Sequence, residues 1–194
     1  LEVRDKDLEQ AHICLGTSGY EQTHPDRYAS YVLNVVLGGS MSSRLFQNIR
    51  EKRGLAYAVS SGLTAYRDVG SLTVYAGCDG GAVSQVIDLV VEELRTMKRT
   101  AMSADELQRA KDHLKGSFVL GLESTTSRMS QLARSEMCFG RQIELSETLA
   151  AIDRVTQDDV QRVASDLFQA GGLAGSVIGP VNGVELAASQ LDLG

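Results

Sequence analysis

In residues 57–78, inward-facing and outward-facing positions alternate with a period of two, as in β-strands, and one short polar turn interrupts the pattern. One face of the first half holds Tyr57, Val59, Ser61, Leu63 and Ala65, and one face of the second half holds Leu72, Val74, Ala76 and Cys78. The sequence YRDVGS between them supplies the Asp and Gly that turns favour. So short a connection cannot make a parallel crossover, and the two halves are therefore predicted to pair as antiparallel strands.

The chain ahead of this hairpin reads as a strand followed by two helices. The strand covers 11–16, and the first helix begins near Thr23 or His24 and stops at Gly38 and Gly39. The second helix covers 41–52, with Met41, Leu45 and Ile49 spaced as one buried stripe. Gly54 is placed to take the left-handed conformation that commonly follows a helix end.

After residue 82 the hydrophobic spacing becomes helical and stays so almost to the end. Capping patterns at Ser103 with Glu106, and at Thr156 with Asp159, mark two helix starts. A last strand at 173–179 ends at Pro180, and the tail 181–194 is predicted to be loosely held. These elements predict a single α+β domain over 1–194, an antiparallel β-sheet with helices packed mainly on one face.

Composition excludes several functional classes. The 19 basic and 25 acidic residues give a net charge of -6, which argues against a nucleic-acid partner because backbone binding needs clustered positive charge. No apolar run approaches the roughly 20 residues that span a bilayer, so we expect no membrane span and a cytoplasmic location. Cys14, Cys78 and Cys138 lack metal or disulfide spacing and are predicted to be buried thiols.

Three kinds of catalytic or cofactor site find little support in the residues. His12, His24 and His113 are widely separated and form no zinc motif, so no metal site is expected in this chain. The sequence GTSG at 16–19 lacks the spacing of a serine nucleophile elbow. A nucleotide site at Gly77–Gly81 is disfavoured because Asp79 would face the phosphate, and an acidic helix cap is preferred there.

The junction at 43–62 offers the clearest site. Arg50 lies on the flank of the apolar stripe one turn after Phe46, and Tyr57 follows the Gly54 turn, predicted on the strand face of Val59 and Leu63. A guanidinium can bind a carbonyl or carboxylate, and a phenol can donate to a developing oxyanion. An arginine that snorkels at a helix end beside a packed tyrosine remains the structural alternative.

One long segment resembles the C-terminal domain of the pitrilysin-type zinc peptidases. The likeness rests on VLGGSMSSRLFQNIREKRGLAYAVSSGLTAYRDVGSLTVYAGCD, and it is extended by LEQAHICLG, SADELQRAKDHLKG and TSRMSQLARSEMCFG. It covers about residues 8–180 and is closest in character to the short bacterial and processing-peptidase branch.

This resemblance implies a fold and a function. Two similar α+β halves enclose an unfolded peptide, and the N-terminal half carries the zinc and a glutamate general base. An arginine and a tyrosine of the C-terminal half hold substrate and support the tetrahedral intermediate, and they correspond here to Arg50 and Tyr57.

The zinc motif itself is missing from this sequence, which leaves two interpretations. In the preferred one, the chain is the substrate-closing domain of a zinc-dependent metalloendopeptidase, inactive alone and binding no zinc. Its partners are then an N-terminal zinc-bearing domain and a peptide or unfolded protein substrate. Both interpretations also allow a homodimer. In the alternative, the parent is a non-catalytic processing-peptidase-like subunit that acts as a scaffold or as the partner of an active subunit.

Overall fold

A five-stranded sheet and six helices make up the computed structural model, which describes residues 1–194. The strands are β1 (Glu2–Asp5), β2 (Ala11–Gly19), β3 (Ala56–Ala65), β4 (Gly70–Cys78) and β5 (Ala174–Gly179). The helices are α1 (Arg27–Leu37), α2 (Val83–Arg99), α3 (Ala104–Gly121), α4 (Thr125–Phe139), α5 (Leu145–Arg154) and α6 (Gln157–Leu167). A π-helical segment covers Phe46–Glu51, and 3-10 turns cover Gly80–Ala82 and Ala188–Leu191.

The strand order is β1-β5-β2-β4-β3, and the predicted hairpin is the β3–β4 pair. Strand β2 runs antiparallel to both β4 and β5, whereas β1 pairs parallel to β5 at one edge. All four residues of β1 are exposed, so the strand has no hydrophobic alternation and was not predicted. The α+β class with a largely antiparallel sheet is confirmed.

One face of the sheet and the inner sides of the helices form a single core of 37 buried residues. Helices α1, α2 and α6 pack directly against this face, and α3 and α5 pack outside them against α1. Phe168, Ile13, Leu15 and Leu33 are among the largest fully buried side chains. A continuous core of this kind is what a unit able to fold alone requires. None of the six helices is both long and apolar enough to cross a bilayer.

The opposite face of β2–β5, here called the open face, carries no Asp, Glu, Lys or Arg. The pairing register places there His12, Cys14, Gly16 and Ser18 of β2, Ala58, Ser60, Gly62 and Thr64 of β3, Ser71, Thr73, Tyr75 and Gly77 of β4, and Ala174, Ser176 and Ile178 of β5. A solvated antiparallel face normally shows polar and charged residues. Apart from Ile178, this one is instead built of small uncharged side chains and the two rings of His12 and Tyr75.

The tail is packed rather than loosely held, contrary to the sequence prediction for 181–194. Leu191 and Leu193 are buried beside α2. Lys98 of α2 donates from Nζ to the carbonyl oxygens of Leu193, at 3.0 Å, and Gly194, at 2.7 Å. The tail is rich in polar residues and glycine, which favour a mobile end, but its two buried leucines hold it against the core.

Two further predictions are wrong in part. The helix predicted over 41–52 begins only at Arg44, and Met41 lies in the turn before it with 76% of its surface exposed. Of the three cysteines, only Cys78 is buried, and burial raises the pKa of its thiol to about 11. Cys138 is half-buried and Cys14 is exposed, because it lies on the open face of β2.

Candidate functional site

The segment that carries Arg50 is a π-helix. The Lys52 N–H donates to the Gln47 carbonyl at 3.0 Å, a bond one residue longer than that of an α-helix. Leu45 and Ile49 are fully buried and hold this segment against the core. Single π-helical turns are rare and frequently occur at functional sites, which singles out this part of the chain.

Gly54 ends the π-helix and redirects the chain into β3. Its φ of +62° lies in the left-handed region, where a side chain is unfavourable. Its N–H donates to the Arg50 carbonyl, and the Leu55 N–H donates to the Ile49 carbonyl, both at 3.0 Å. The glycine that the sequence assigned to the helix end therefore sets the angle between the Arg50 segment and β3.

Tyr57 is the extra residue of a β-bulge. The β3–β4 pairing passes from Ala56 opposite Cys78 to Ala58 opposite Gly77 and leaves Tyr57 without a partner. The prediction that Tyr57 shares a face with Val59 and Leu63 is wrong. Tyr57 is 74% exposed while Val59 is buried, because the bulge shifts the alternation by one residue.

The structure brings Arg50 and Tyr57 together at this junction. The Arg50 Cζ lies 4.8 Å from the centre of the Phe46 ring and 5.8 Å from the centre of the Tyr57 ring. The one ionic contact of the guanidinium is long, 4.0 Å from Nε to Glu51 Oε1, and solvent-exposed. The guanidinium thus lies between the rings of Phe46 and Tyr57, and both Arg50 and Tyr57 are solvent-exposed, so a ligand can reach them.

Arg44 fastens the start of the same segment to two helices. Its guanidinium donates to both carboxylate oxygens of Glu106 on α3, at 2.8 and 2.7 Å, and to Glu93 on α2 at 3.2 Å. These hydrogen bonds, chiefly the pair to Glu106, hold the pKa of Arg44 above its ordinary value. The bond from Arg44 likewise holds the pKa of Glu106 below its ordinary value. Sequence reasoning missed this anchor; its signal was the arginine at the start of SRLFQNIR.

We expect Glu106→Gln to lower the free energy of unfolding at pH 7 by about 1 to 3 kcal/mol, since it weakens a charged, half-buried pair. The pKa of Glu106 is lower in the folded chain, so its stabilisation is present above the ordinary value of 4.5 and is lost as pH falls below it. Urea unfolding should show that the difference in free energy of unfolding between wild type and variant is smaller at pH 4 than at pH 7. Glu123→Gln, at an exposed glutamate without an ion pair, is the control, and an unchanged gap would refute the assignment.

The side chains of this chain do not fit a zinc ion. No three of its His, Cys, Asp and Glu side chains converge as metal ligands. His12 Nδ1 lies 2.8 Å from the Tyr75 hydroxyl on the open face, and His24 stacks on Tyr20 at the start of α1. His113 belongs to α3, away from both.

The glycine-rich segment after β4 has a structural explanation. Asp79 Oδ1 accepts the Gly81 N–H at 2.8 Å, which is the acidic cap preferred from the sequence. A Cβ at Gly80 would collide with the carbonyl oxygen of Pro180. Strand β4 is antiparallel to both of its neighbours, so this segment is not part of a βαβ unit.

Residues 1–114 match the family described as Peptidase M16 inactive domain. Among curated proteins, an uncharacterized zinc protease of Streptomyces coelicolor is 44% identical over 93% of this chain, and one of Bacillus subtilis is 44% identical over 86%. The chain covers only 39% and 41% of those two proteins. It therefore spans about two fifths of the length of the relatives it matches.

Solved structures agree on the fold. A conserved protein from Enterococcus faecalis matches with a TM-score of 0.82 at 28% identity, over 92% of this chain and 41% of that one. A peptidase M16 inactive domain from Pseudomonas fluorescens matches with 0.84 at 23% identity, over 92% of this chain and 43% of that one. A chain of Complex III2 from Candida albicans matches with a TM-score of 0.87 at 18% identity, over 97% of this chain and 48% of that one. From the matched residues and this shared fold, the chain belongs to the peptidase M16 inactive-domain family.

Proposed function

We propose that this chain is the substrate-positioning half of a zinc-dependent metalloendopeptidase. The observation that carries the proposal is the meeting of Arg50 and Tyr57 beside the π-helical turn, with both side chains exposed to solvent. The zinc ion and the general base come, in this proposal, from an N-terminal domain outside these residues. That assignment follows the zinc protease names of the relatives and their greater length.

The two side chains suit the electrostatic part of amide hydrolysis. A peptide carbonyl gains negative charge on its oxygen as the tetrahedral intermediate forms, and preorganised donors stabilise that charge. The Tyr57 hydroxyl supplies one donor to this oxygen. Arg50 supplies a planar set of donors that binds a neighbouring backbone carbonyl or carboxylate of the substrate. Tyr57 is carried by strand β3 and Arg50 by the π-helical turn, so neither side chain depends on a loose loop.

The open face supports a second part of the proposal, a covering partner. A sheet face without charges, lined by glycine, alanine and serine, lets another segment approach closely. We propose that the zinc-bearing half of the same protein lies against this face. A homodimer that uses the same face is the competing arrangement.

We expect this chain alone to show no peptide hydrolysis and no tight zinc binding, because the metal ligands and general base lie outside it. The measurement compares the full-length protein with this chain, both supplied with zinc, on a fluorogenic unfolded peptide. The full-length protein should turn over and lose activity with a chelator. Stoichiometric zinc in the isolated chain, or chelator-resistant turnover by it, would contradict the proposal.

A non-catalytic scaffold subunit is the other candidate. The likeness to a chain of Complex III2 is consistent with it, but at 18% identity this likeness speaks for the fold alone. Relatives at 44% identity carry zinc protease names, and this favours the peptidase. A full-length protein without a zinc-dependent activity would favour the scaffold.

A further inference from the structure

A second concave site lies at the other end of the molecule. It is a cavity of about 500 Å³ among α1, α3, α4 and the segment that leads into α5. One of its lining residues, Gln22, donates its backbone N–H to the Tyr66 carbonyl, just beyond the end of β3. Tyr57 lies at the opposite end of that ten-residue strand, which is about 30 Å long, so the cavity is separate from the Arg50–Tyr57 site. The volume is within the range of small-molecule pockets.

The charged side chains that line this cavity are both arginines. Arg27 and Arg134 take part, and no Asp, Glu, Lys or His does, although the whole chain has a net charge of -6. Arg27 donates to the His24 carbonyl and to the Tyr28 hydroxyl, each at 3.3 Å, and forms no ion pair. The nearby carboxylate of Glu147 is already held by Arg141 at 2.6 and 2.8 Å. The cavity is thus a local positive site without its own counter-ion.

Aromatic rings form the apolar part of the same wall. The Arg27 Cζ lies 4.4 Å from the centre of the Tyr28 ring and 5.0 Å from that of Phe139. Tyr31 lies 6.0 Å from Tyr28 and 6.4 Å from Phe118, between ring centres. Burial raises the pKa of Tyr31, so its hydroxyl stays a neutral donor. Rings stacked beside a guanidinium hold its plane in place and leave its edge for a ligand.

We propose that this cavity binds a small organic carboxylate with an aromatic or apolar body. The carboxylate pairs with Arg134 and Arg27, and the body lies against Tyr31 and Phe118. Arginine suits this task because its planar donors match both oxygens of a carboxylate. The site is independent of Arg50 and Tyr57, and its failure would leave the proposed peptidase function untouched.

The test is isothermal titration calorimetry of this chain with 3-phenylpropionate and with its neutral counterpart 3-phenylpropanamide. Saturable binding of the carboxylate is expected, and the amide should bind at least about tenfold more weakly because it lacks the charge. Arg134→Gln should weaken binding of the carboxylate by at least about tenfold. Ser130→Phe, which fills the cavity from α4, should abolish binding while both arginines remain.

Arg128→Gln is the matched control, since Arg128 is an exposed arginine of α4 that does not line the cavity. It should leave the affinity for 3-phenylpropionate unchanged. The proposal is overturned by the absence of saturable binding or by equal affinity for acid and amide. An equal loss of affinity in the Arg128 and Arg134 variants would overturn it too, because it would reduce the effect to overall charge.

Discussion

Tyr57→Phe in the full-length protein is expected to lower kcat/KM for an unfolded peptide by about 10²- to 10³-fold. The substitution keeps the exposed ring beside Arg50 and removes only the hydroxyl, which donates to the oxyanion in the proposed mechanism. Because that donor acts most strongly in the transition state, kcat should fall and KM should change little. Circular dichroism and thermal unfolding should match wild type, since Tyr57 is 74% exposed at an unpaired bulge position.

Tyr66→Phe is the matched control, because Tyr66 is also an exposed tyrosine but lies at the far end of β3. Arg50→Ala should lower kcat/KM to a similar degree, and Arg53→Ala, in the turn that follows the π-helix, should have little effect. Wild-type turnover by both Tyr57→Phe and Arg50→Ala would reduce the pair to structural residues. A KM effect confined to Arg50→Ala would assign that residue to substrate binding alone.

Cys14 should react with N-ethylmaleimide at least about tenfold more slowly in the full-length protein than in this chain alone. Its side chain is exposed here at the centre of the open face, between Tyr75 of β4 and Ser176 of β5. If the zinc-bearing half covers that face, maleimide reaches the thiol only when the two halves separate. Peptide mapping by mass spectrometry distinguishes Cys14 from Cys78 and Cys138.

A Ser146→Cys variant provides the control thiol, since Ser146 is exposed on α5 in the outer helix layer. Its labelling rate should be similar in the two forms of the protein. Equal reactivity of Cys14 in both forms would show that the open face stays accessible to solvent and would refute the covering partner. Protection of Cys14 that depends on the concentration of this chain alone would point to the homodimer.

Much of the fold was predictable because its signals are local. The YRDVGS turn set the β3–β4 hairpin, and Ser103 and Thr156 cap α3 and α6 as their patterns indicated. Strand β1 escaped prediction because its stability comes from backbone pairing with β5 rather than from buried side chains. The tail escaped because two leucines and Lys98 are enough to hold it.

The residues of the proposed site could be named from the sequence, but their geometry could not. Arg50, Gly54 and Tyr57 could be named from residue chemistry and the turn. The run AYAV reads as regular alternation, and nothing in it marks the bulge that turns Tyr57 away from Val59. The π-helical bond from Lys52 to Gln47 also leaves no mark in the sequence, since the same residues suit an α-helix. Both irregularities depend on how the segment meets the core through Ile49 and Arg44.

The π-helical turn has a consequence for how this region can change during evolution. An α-helix advances by about 100° per residue, so deleting one residue inside the turn would restore a regular helix and swing Arg50 away from Tyr57. The regular helix would have better hydrogen bonding than the π-turn. A deletion here would therefore preserve the fold but separate Arg50 from Tyr57. If the proposed role of this junction is right, a relative with a shortened turn and higher stability should lack peptidase activity.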